Sequence, residues 1–333
     1  ETGKGKTYTA AATMLACDGA LPALVVCPPN LKRQWKKKIE EFTTLSCVVL
    51  ETTTPYAHAP ADVRIIGYTQ LAGWCDVLEL SGIGLIVFDE IHELRRGEGA
   101  DKGKAAYRLS AVARYRLGMT ATPIFNYGGE IWDVMRAIRP EVLGEKECFI
   151  REYCTFTGSA WSVKNPAALG AYMREQRAFV RETKDTPRPN VVVRELGSAF
   201  DSRYLEDIED LARDLALKAT TGAFTERGEA TRELNMRVRQ ATGIGKARPV
   251  AAMVKAIVDG GAPTILFGWH REVYDIWLRE LKDHNPVLYT GSESPAKKRK
   301  AVELFTQGLS RVFIMSLRSG AGLNGLQFRS HTI

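Results

Sequence analysis

Two kinds of hydrophobic spacing alternate along the chain. ALVVC (23–27), VRII (63–66), LIVF (85–88) and YRLGMT (115–120) are short, nearly unbroken apolar runs. Runs of this length predict strands buried on both faces, as in a parallel sheet covered by helices. Helical patterns lie between them. TYTAAATMLA (7–16) is Ala-rich and follows glycines, which predicts a helix. Leu31, Trp35, Ile39 and Phe42 form an apolar stripe at helical spacing, and Lys32, Arg33, Lys36, Lys37 and Lys38 fill the rest of that helix. Asn30, after Pro28 and Pro29, is expected to cap it. Strands alternating with helices predict an α/β fold with a parallel sheet.

From about residue 141 the pattern changes. Residues 167–184 predict a helix with a basic end, and NVVVREL (190–196) predicts a strand after the breaker TPRP. In 202–219 the stripe Leu205, Ile208, Leu211, Ala212 and Leu215 predicts a second helix, and 226–242 a third, heavily charged one. A second α/β pattern opens near Lys246, with strands at TILFG (264–268), VLYTG (287–291) and VFIMS (312–316) and helices at 270–283 and 295–307. The expected organisation is therefore a first lobe at 1–140, a helical insertion and linker at 141–245, and a second lobe at 246–333. The chain opens on ETGKGKT without the strand that ordinarily feeds such a loop, and RSHTI ends it as another strand begins. Both lobes are expected to be incomplete, and the chain to be part of a longer protein.

Composition narrows the class. Hydrophobic residues make up 45% and charged residues 26%, which excludes collagen-like, disordered and small disulfide-scaffold chains. Apolar runs such as LPALVVC (21–27) and IGLIVF (83–88) fall well short of the ~18 residues of a membrane-spanning helix, so no membrane partner is expected. The net charge of +7 and pI near 9.0 suit a polyanionic partner, and equally a protein that is merely basic. Cys17, Cys27, Cys47, Cys75, Cys148 and Cys154 contain no C-x-x-C pair, so zinc-ligand spacing is absent. Their mostly apolar surroundings predict free thiols in a reducing, intracellular setting, with a Cys148–Cys154 bridge left open.

Two segments carry candidate chemistry. TGKGKT (2–7) has the composition of a phosphate-binding loop. In such a loop Thr2, Gly3, Lys4 and Gly5 would wrap phosphates with backbone N–H groups, and the following helix would point its positive end at the same anion. Lys6 would reach the β- and γ-phosphates of ATP, and the Thr7 hydroxyl would sit on Mg²⁺. DEIH (89–92) follows the apolar run LIVF, so its acids fall at the C-terminal edge of a sheet. There Asp89 would hold the Mg²⁺ through water, Glu90 would orient and deprotonate an attacking water, and His92 would sense the γ-phosphate.

The order of these motifs resembles that of superfamily-two helicase-type ATPases of the Swi/Snf-like branch, with annealing-helicase-like members the most similar. VVCPPNLKRQWKKKIEEF (25–42), IIGYTQL (65–71), DEIH (89–92) and GMTATPIFNYGGEIWDVMRAIRP (118–140) are similar to successive first-lobe segments. FIREYC (149–154) and LGAYMREQRAFVRETKD (169–185) resemble the connector. TILFGWHREVYDIWLREL (264–281), LYTGSESPAKKRKAVELFTQG (288–308) and VFIMSLRSGAGLNGLQ (312–327) resemble second-lobe segments. The chain departs from the pattern in TAT at 120–122, where many members have TGT, and around Ala321–Gly325.

The resemblance implies two RecA-like lobes facing each other across a cleft, with double-stranded DNA lying across both and held mainly by its backbone. Pro28, Asn30, Lys32, Tyr68 and Thr69 would contact nucleic acid from the first lobe, and Thr290, Gly291, Ser316 and Arg318 from the second. Thr120 and Thr122 would couple the nucleotide and nucleic-acid sites. An arginine-bearing motif is expected beyond residue 333; its finger is worth ~10³–10⁵ in rate, so the chain by itself is expected to turn over ATP poorly. Three functions stay open at this point: a translocase on duplex DNA, a strand-separating DNA or RNA helicase, and a nucleic-acid-binding piece without turnover. The Trp35-bearing helix, the TPIFN segment and the middle insertion favour the first. A P-loop GTPase is disfavoured by the lack of a recognisable N-K-x-D segment. KKRK (297–300) is expected as a solvated helix face and His270 as a packing or capping residue. The host is expected to be a bacterium or its virus.

Overall fold

The four apolar runs of residues 23–120 all form strands, and a fifth joins them at an edge. The computed structural model describes residues 5–124, 128–158, 160–181, 191–193, 195, 199–317, 319, 323 and 325–330. The chain divides into two units, Glu1–Arg188 and Pro189–Ile333.

The first unit runs α1 (Lys6–Ala16), β1 (Ala23–Cys27), α2 (Lys32–Phe42), β2 (Cys47–Val49), β3 (Val63–Gly67), α3 (Leu71–Leu80), β4 (Leu85–Asp89), α4 (Asp101–Val112) and β5 (Tyr115–Met119). It continues with α5 (Glu130–Arg136), α6 (Lys146–Tyr153), the hairpin β6 (Cys154–Phe156) and β7 (Trp161–Val163), and α7 (Pro166–Glu175). The main sheet is parallel, in the order β2-β3-β1-β4-β5. Strand parity sorts its side chains into two cores. Val25, Ile65 and Val87 pack with Met14 of α1 and with Trp35 and Ile39 of α2. Val26, Ile66, Ile86 and Phe88 pack with Trp74 of α3 and Leu109 of α4 on the other face. Burial on both sides is why these strands read as continuous apolar runs. β2 escaped the sequence reading because it is only three residues long.

α5 joins the rest of the unit to this sheet. Its Val134 belongs to the α3/α4 core, whereas Ile131, Trp132 and Met135 face a separate cluster with Phe149 of α6 and Leu169 and Met173 of α7. Residues 141–181 thus pack with the first unit, and the division between units falls inside the segment expected as an insertion. α7 stops at Glu175 instead of running to 184. Arg177 turns left-handed at φ 52°, Ala178 N–H bonds to Met173 O at 2.9 Å, and Arg177 N–H bonds to Arg174 O at 2.9 Å. This is a Schellman stop made without glycine. Of the strand expected at 190–196, residues 190, 194 and 196 lie outside the described residues; Val191, Val192 and Val193 are exposed and form no strand.

The second unit contains α8 (Arg203–Glu206), α9 (Glu209–Thr221), α10 (Phe224–Asp259), β8 (Thr264–Gly268), α11 (Arg271–Glu280), β9 (Val287–Tyr289), α12 (Pro295–Thr306) and β10 (Val312–Ser316). Its sheet is parallel, in the order β8-β10-β9. α10 and α11 cover one face and α12 the other. The helix expected at 202–219 breaks into α8 and α9, and of its stripe only Leu215 is buried.

α10 runs for 36 residues straight through the expected boundary near Lys246, with Pro249 inside it. A proline there removes the hydrogen bond to the carbonyl four residues back. That carbonyl, Gly245 O, instead accepts from Asp201 N–H at 3.2 Å. A Cβ on residue 245 would lie 2.6 Å from Asp201 O, so the glycine makes the approach possible. All six cysteines are free, which removes the Cys148–Cys154 bridge. Among the described residues no helix is long and apolar enough to cross a membrane.

Candidate functional site

Parity decides where Asp89 points. Leu85 and Val87 belong to the α1/α2 core and Ile86 and Phe88 to the opposite one. Asp89, next in the alternation, therefore emerges at the C-terminal end of β4 on the α1/α2 side. It is buried, and Trp35 Nε1 of α2 donates to its Oδ2 at 2.8 Å. Its Oδ1 accepts from Glu90 N–H at 3.1 Å, and its carbonyl accepts from the Tyr68 hydroxyl at 2.8 Å. Burial pushes the Asp89 carboxyl above its ordinary range and Glu90 adds to that; the Trp35 bond and the Lys6 charge oppose them.

Glu90 breaks the strand with a left-handed backbone, φ 52° and ψ 52°. For a residue with a Cβ this conformation costs ~1–3 kcal/mol, and such strain concentrates at functional sites. The turn brings His92 Nδ1 to 3.3 Å from Glu90 Oε2. Thr120, just after β5, donates to the same oxygen at 3.4 Å and lies 3.1 Å from His92 Nδ1. The hydrogen bond with His92 holds the Glu90 carboxyl below its usual range against the effect of burial, with Lys6 and Thr120 acting in the same direction. Glu90 is thus ionised at neutral pH.

Lys6 begins α1, and Gly5 ahead of it is left-handed at φ 73°. Its charge acts on both Asp89 and Glu90 and favours the ionised form of each. Thr7 is half-buried in the first turn of α1. Thr2, Gly3 and Lys4 lie outside the described residues. A hydroxyl and a carboxylate are hard oxygen donors, which suits Mg²⁺: that ion takes one or two carboxylates and fills its remaining positions with water and phosphate. Among the described residues no group of three or more His, Cys, Asp or Glu side chains forms a cage for a metal. Thr122 is exposed, and its N–H bonds to Thr120 Oγ1 at 3.0 Å.

Two residues expected to contact nucleic acid are engaged elsewhere. Lys32 is 6% exposed, and its Nζ donates to Leu50 O at 2.7 Å, Glu51 Oε2 at 3.1 Å and Gln70 Oε1 at 3.2 Å. An ammonium group has three donors, and all three are used. Tyr68 is 2% exposed and its hydroxyl is spent on Asp89 O. Pro28 is half-buried, and Asn30 and Thr69 are exposed. Asn30 does not cap α2: it sits in a turn from Pro29 to Leu31, and α2 has no side-chain cap. Phe42 leaves the expected stripe, half-exposed against Tyr8 at 4.2 Å.

Gln70 was not singled out in the sequence. It accepts from Gly67 N–H at 2.9 Å and from Lys32, and donates to Thr52 O at 3.0 Å. A glutamine at the head of a helix gives no sign of this, because two of its three partners lie 18 and 38 residues away. The link between Trp35 and Asp89 spans 54 residues, so no local pattern in the sequence shows it.

In the second unit, Thr290 is buried at the end of β9; its N–H is held by the Glu293 carboxylate and its Oγ1 accepts from Ser292 N–H at 3.3 Å. Gly291 is exposed. Ser316 Oγ donates to Ser319 Oγ at 2.7 Å. Arg318 lies outside the described residues. His270 precedes α11, makes no side-chain cap, and lines a cavity of about 670 Å³ with Phe267, Trp269 and Leu317.

The chain matches the SNF2-related domain over residues 1–190. It is 26% identical over 350 residues to a "SWI/SNF-related matrix-associated actin-dependent regulator of chromatin subfamily A-like protein 1 homolog" of Caenorhabditis elegans, covering 97% of this chain and 49% of that protein. The corresponding Drosophila melanogaster protein is 26% identical over 337 residues, covering 96% and 43%. The chain thus spans about half the length of these curated relatives or less. The solved "Sulfolobus solfataricus SWI2/SNF2 ATPase core in complex with dsDNA" aligns with 95% of this chain and 72% of that one, at 17% identity and a TM-score of 0.49. The SNF2-related match takes in more than half of the sequence and the whole of the first unit, and the chain belongs to that Swi/Snf-like family of helicase-like ATPases.

Proposed function

We propose that the first unit binds and hydrolyses ATP, and that the protein uses this turnover to move on double-stranded DNA and remodel protein–DNA or DNA structures. The observation that carries the reading is the pair of carboxylates, Asp89 and Glu90, held at the C-terminal rim of the sheet by Trp35, His92 and Thr120, with the Lys6 charge acting on both. Lys6 offers an ammonium to the β- and γ-phosphates from the start of α1, where the helix dipole favours the same anion. Thr7 and Asp89 would supply oxygen donors for Mg²⁺, which would offset the negative charge of the phosphates. Glu90, ionised and held by His92 and Thr120, accepts a hydrogen bond from the attacking water and orients it. Thr120 touches both Glu90 and His92, so the turn carrying Thr120 and Thr122 is the coupling element.

Duplex DNA as partner is supported by the net charge of +7 and by relatives named as chromatin regulators. Pro28, Asn30 and Thr69 on the first unit, and Gly291 and Ser316 on the second, are the proposed backbone contacts; Lys32 and Tyr68 are not among them. Backbone contacts carry little sequence information, so binding is salt-sensitive and weakly specific. The test is ATP turnover by the full-length protein with duplex DNA, single-stranded DNA or RNA. Duplex DNA is expected to stimulate most; stronger stimulation by RNA rejects the duplex reading.

A further inference from the structure

Asp89 is gripped at three points: Trp35 Nε1 on Oδ2, Glu90 N–H on Oδ1 and the Tyr68 hydroxyl on the carbonyl. The first of these stands apart. Trp35 is 2% exposed in the α1/α2 core, one helical turn before Ile39 and among Ala10, Met14 and Leu31. Packing alone asks only for an apolar side chain at such a position, and phenylalanine or leucine would supply it. An indole adds a donor that needs a partner once buried. The partner here is a carboxylate oxygen 54 residues away in sequence, at the end of a different element. A hydrogen bond to an ionised acceptor is about twice as strong as one between neutral groups, and it fixes the rotamer of the side chain that accepts it.

We propose that Trp35 is a positioning residue for the metal-facing carboxylate of Asp89: by occupying Oδ2 from within the core, it sets the orientation in which Asp89 meets a divalent cation. The proposal rests on the ATPase reading above. It explains why a tryptophan stands in the apolar stripe of α2, and it makes that helix part of the nucleotide site without touching nucleotide. Hydrogen-bond partners of metal-binding side chains typically account for 10- to 100-fold in metal affinity.

The test uses Mn²⁺ as a paramagnetic substitute for Mg²⁺, with a non-hydrolysable ATP analogue and the full-length protein. Bound Mn²⁺ is read from the loss of the free-ion resonance signal. Trp35→Phe keeps an aromatic ring and removes the donor; Ile39→Val perturbs the same core one turn away; Asp89→Asn removes the carboxylate. Trp35→Phe is expected to weaken Mn²⁺ binding about tenfold or more. Ile39→Val is expected to leave it within about twofold while lowering the melting temperature. As a second measurement, the rise in melting temperature caused by Mn²⁺ and analogue is expected to shrink in Trp35→Phe and not in Ile39→Val, which separates positioning from a general loss of stability. If Asp89→Asn loses binding while Trp35→Phe retains wild-type affinity, the positioning role is wrong and the ATPase reading stands. If the unsubstituted protein shows no metal-dependent nucleotide binding, both fall.

Discussion

The C-terminal rims of the two parallel sheets are built differently. In the first unit, Trp35 of α2 and Thr120 after β5 reach two carboxylates from 54 and 30 residues away, and the Lys6 charge at the start of α1 acts on both. In the second unit the polar contacts at the rim are local: Thr290 with Ser292 and Glu293, and Ser316 with Ser319. Beside them lies an apolar cleft with exposed Trp269 and Leu317. Long-range side-chain contacts hold reacting groups in fixed geometry, as chemistry requires. Local turns present backbone groups and hydroxyls, which suffice for contacts that carry no sequence information.

The basic helices repeat the contrast. All five cations of α2 have a carboxylate within 4 Å: Lys32 and Arg33 share Glu51, Lys36 faces Glu40, and Lys37 and Lys38 share Glu41. On α12, Lys297, Arg299 and Lys300 are exposed, and Lys298 lies over the Tyr289 ring at 5.3 Å. A paired lysine brings less net charge to a phosphate than an unpaired one does, so equal runs of basic residues need not make equal binding surfaces.

Substitutions can break or sharpen this comparison. The largest effect is expected from Glu90→Gln, which keeps the shape but removes the charge. ATP turnover should fall by about 10²–10⁴-fold while nucleotide binding persists, as measured by steady-state hydrolysis beside equilibrium binding. Unchanged turnover would remove the first rim from the chemistry. Lys32→Met comes next. It strands the Leu50 carbonyl in the core, removes one of the two bonds to the Gln70 side-chain oxygen, and should destabilise the first unit by about 3 kcal/mol, read from denaturant unfolding. Weaker DNA binding with unchanged stability would instead restore Lys32 to the surface. The smallest effect is the double charge reversal Lys297→Glu with Lys300→Glu. Duplex affinity should fall by roughly fivefold to tenfold and its salt dependence should flatten. The same reversal at Lys36 and Lys37 should do less, and the opposite ranking would dissolve the contrast between the helices.

Much of the first unit was legible because its strands are buried on both faces, so each showed as an apolar run whose length and flanks identify it. DEIH was legible for the same reason: acids that directly follow such a run must lie at a sheet edge. The boundary expected near Lys246 was misplaced, because α10 continues through it and through Pro249, where the orphaned Gly245 carbonyl accepts from Asp201, 44 residues upstream. Arg177 misled in the opposite sense, because the left-handed stop that ends α7 falls on a residue without the usual glycine signature.

Sequence alone showed the long strands of the two main sheets and their parallel arrangement, and singled out Lys6, Asp89 and Glu90 as candidates for a phosphate-handling rim, because periodicity and short motifs are local properties of the chain. Only the tertiary structure decided that Lys32 and Tyr68 turn inward, that Trp35 binds Asp89, and that Lys32 and Arg33 are matched by Glu51. Burial and pairing are relations between residues distant in sequence, and a lysine reads the same whether its ammonium faces water or three buried oxygens.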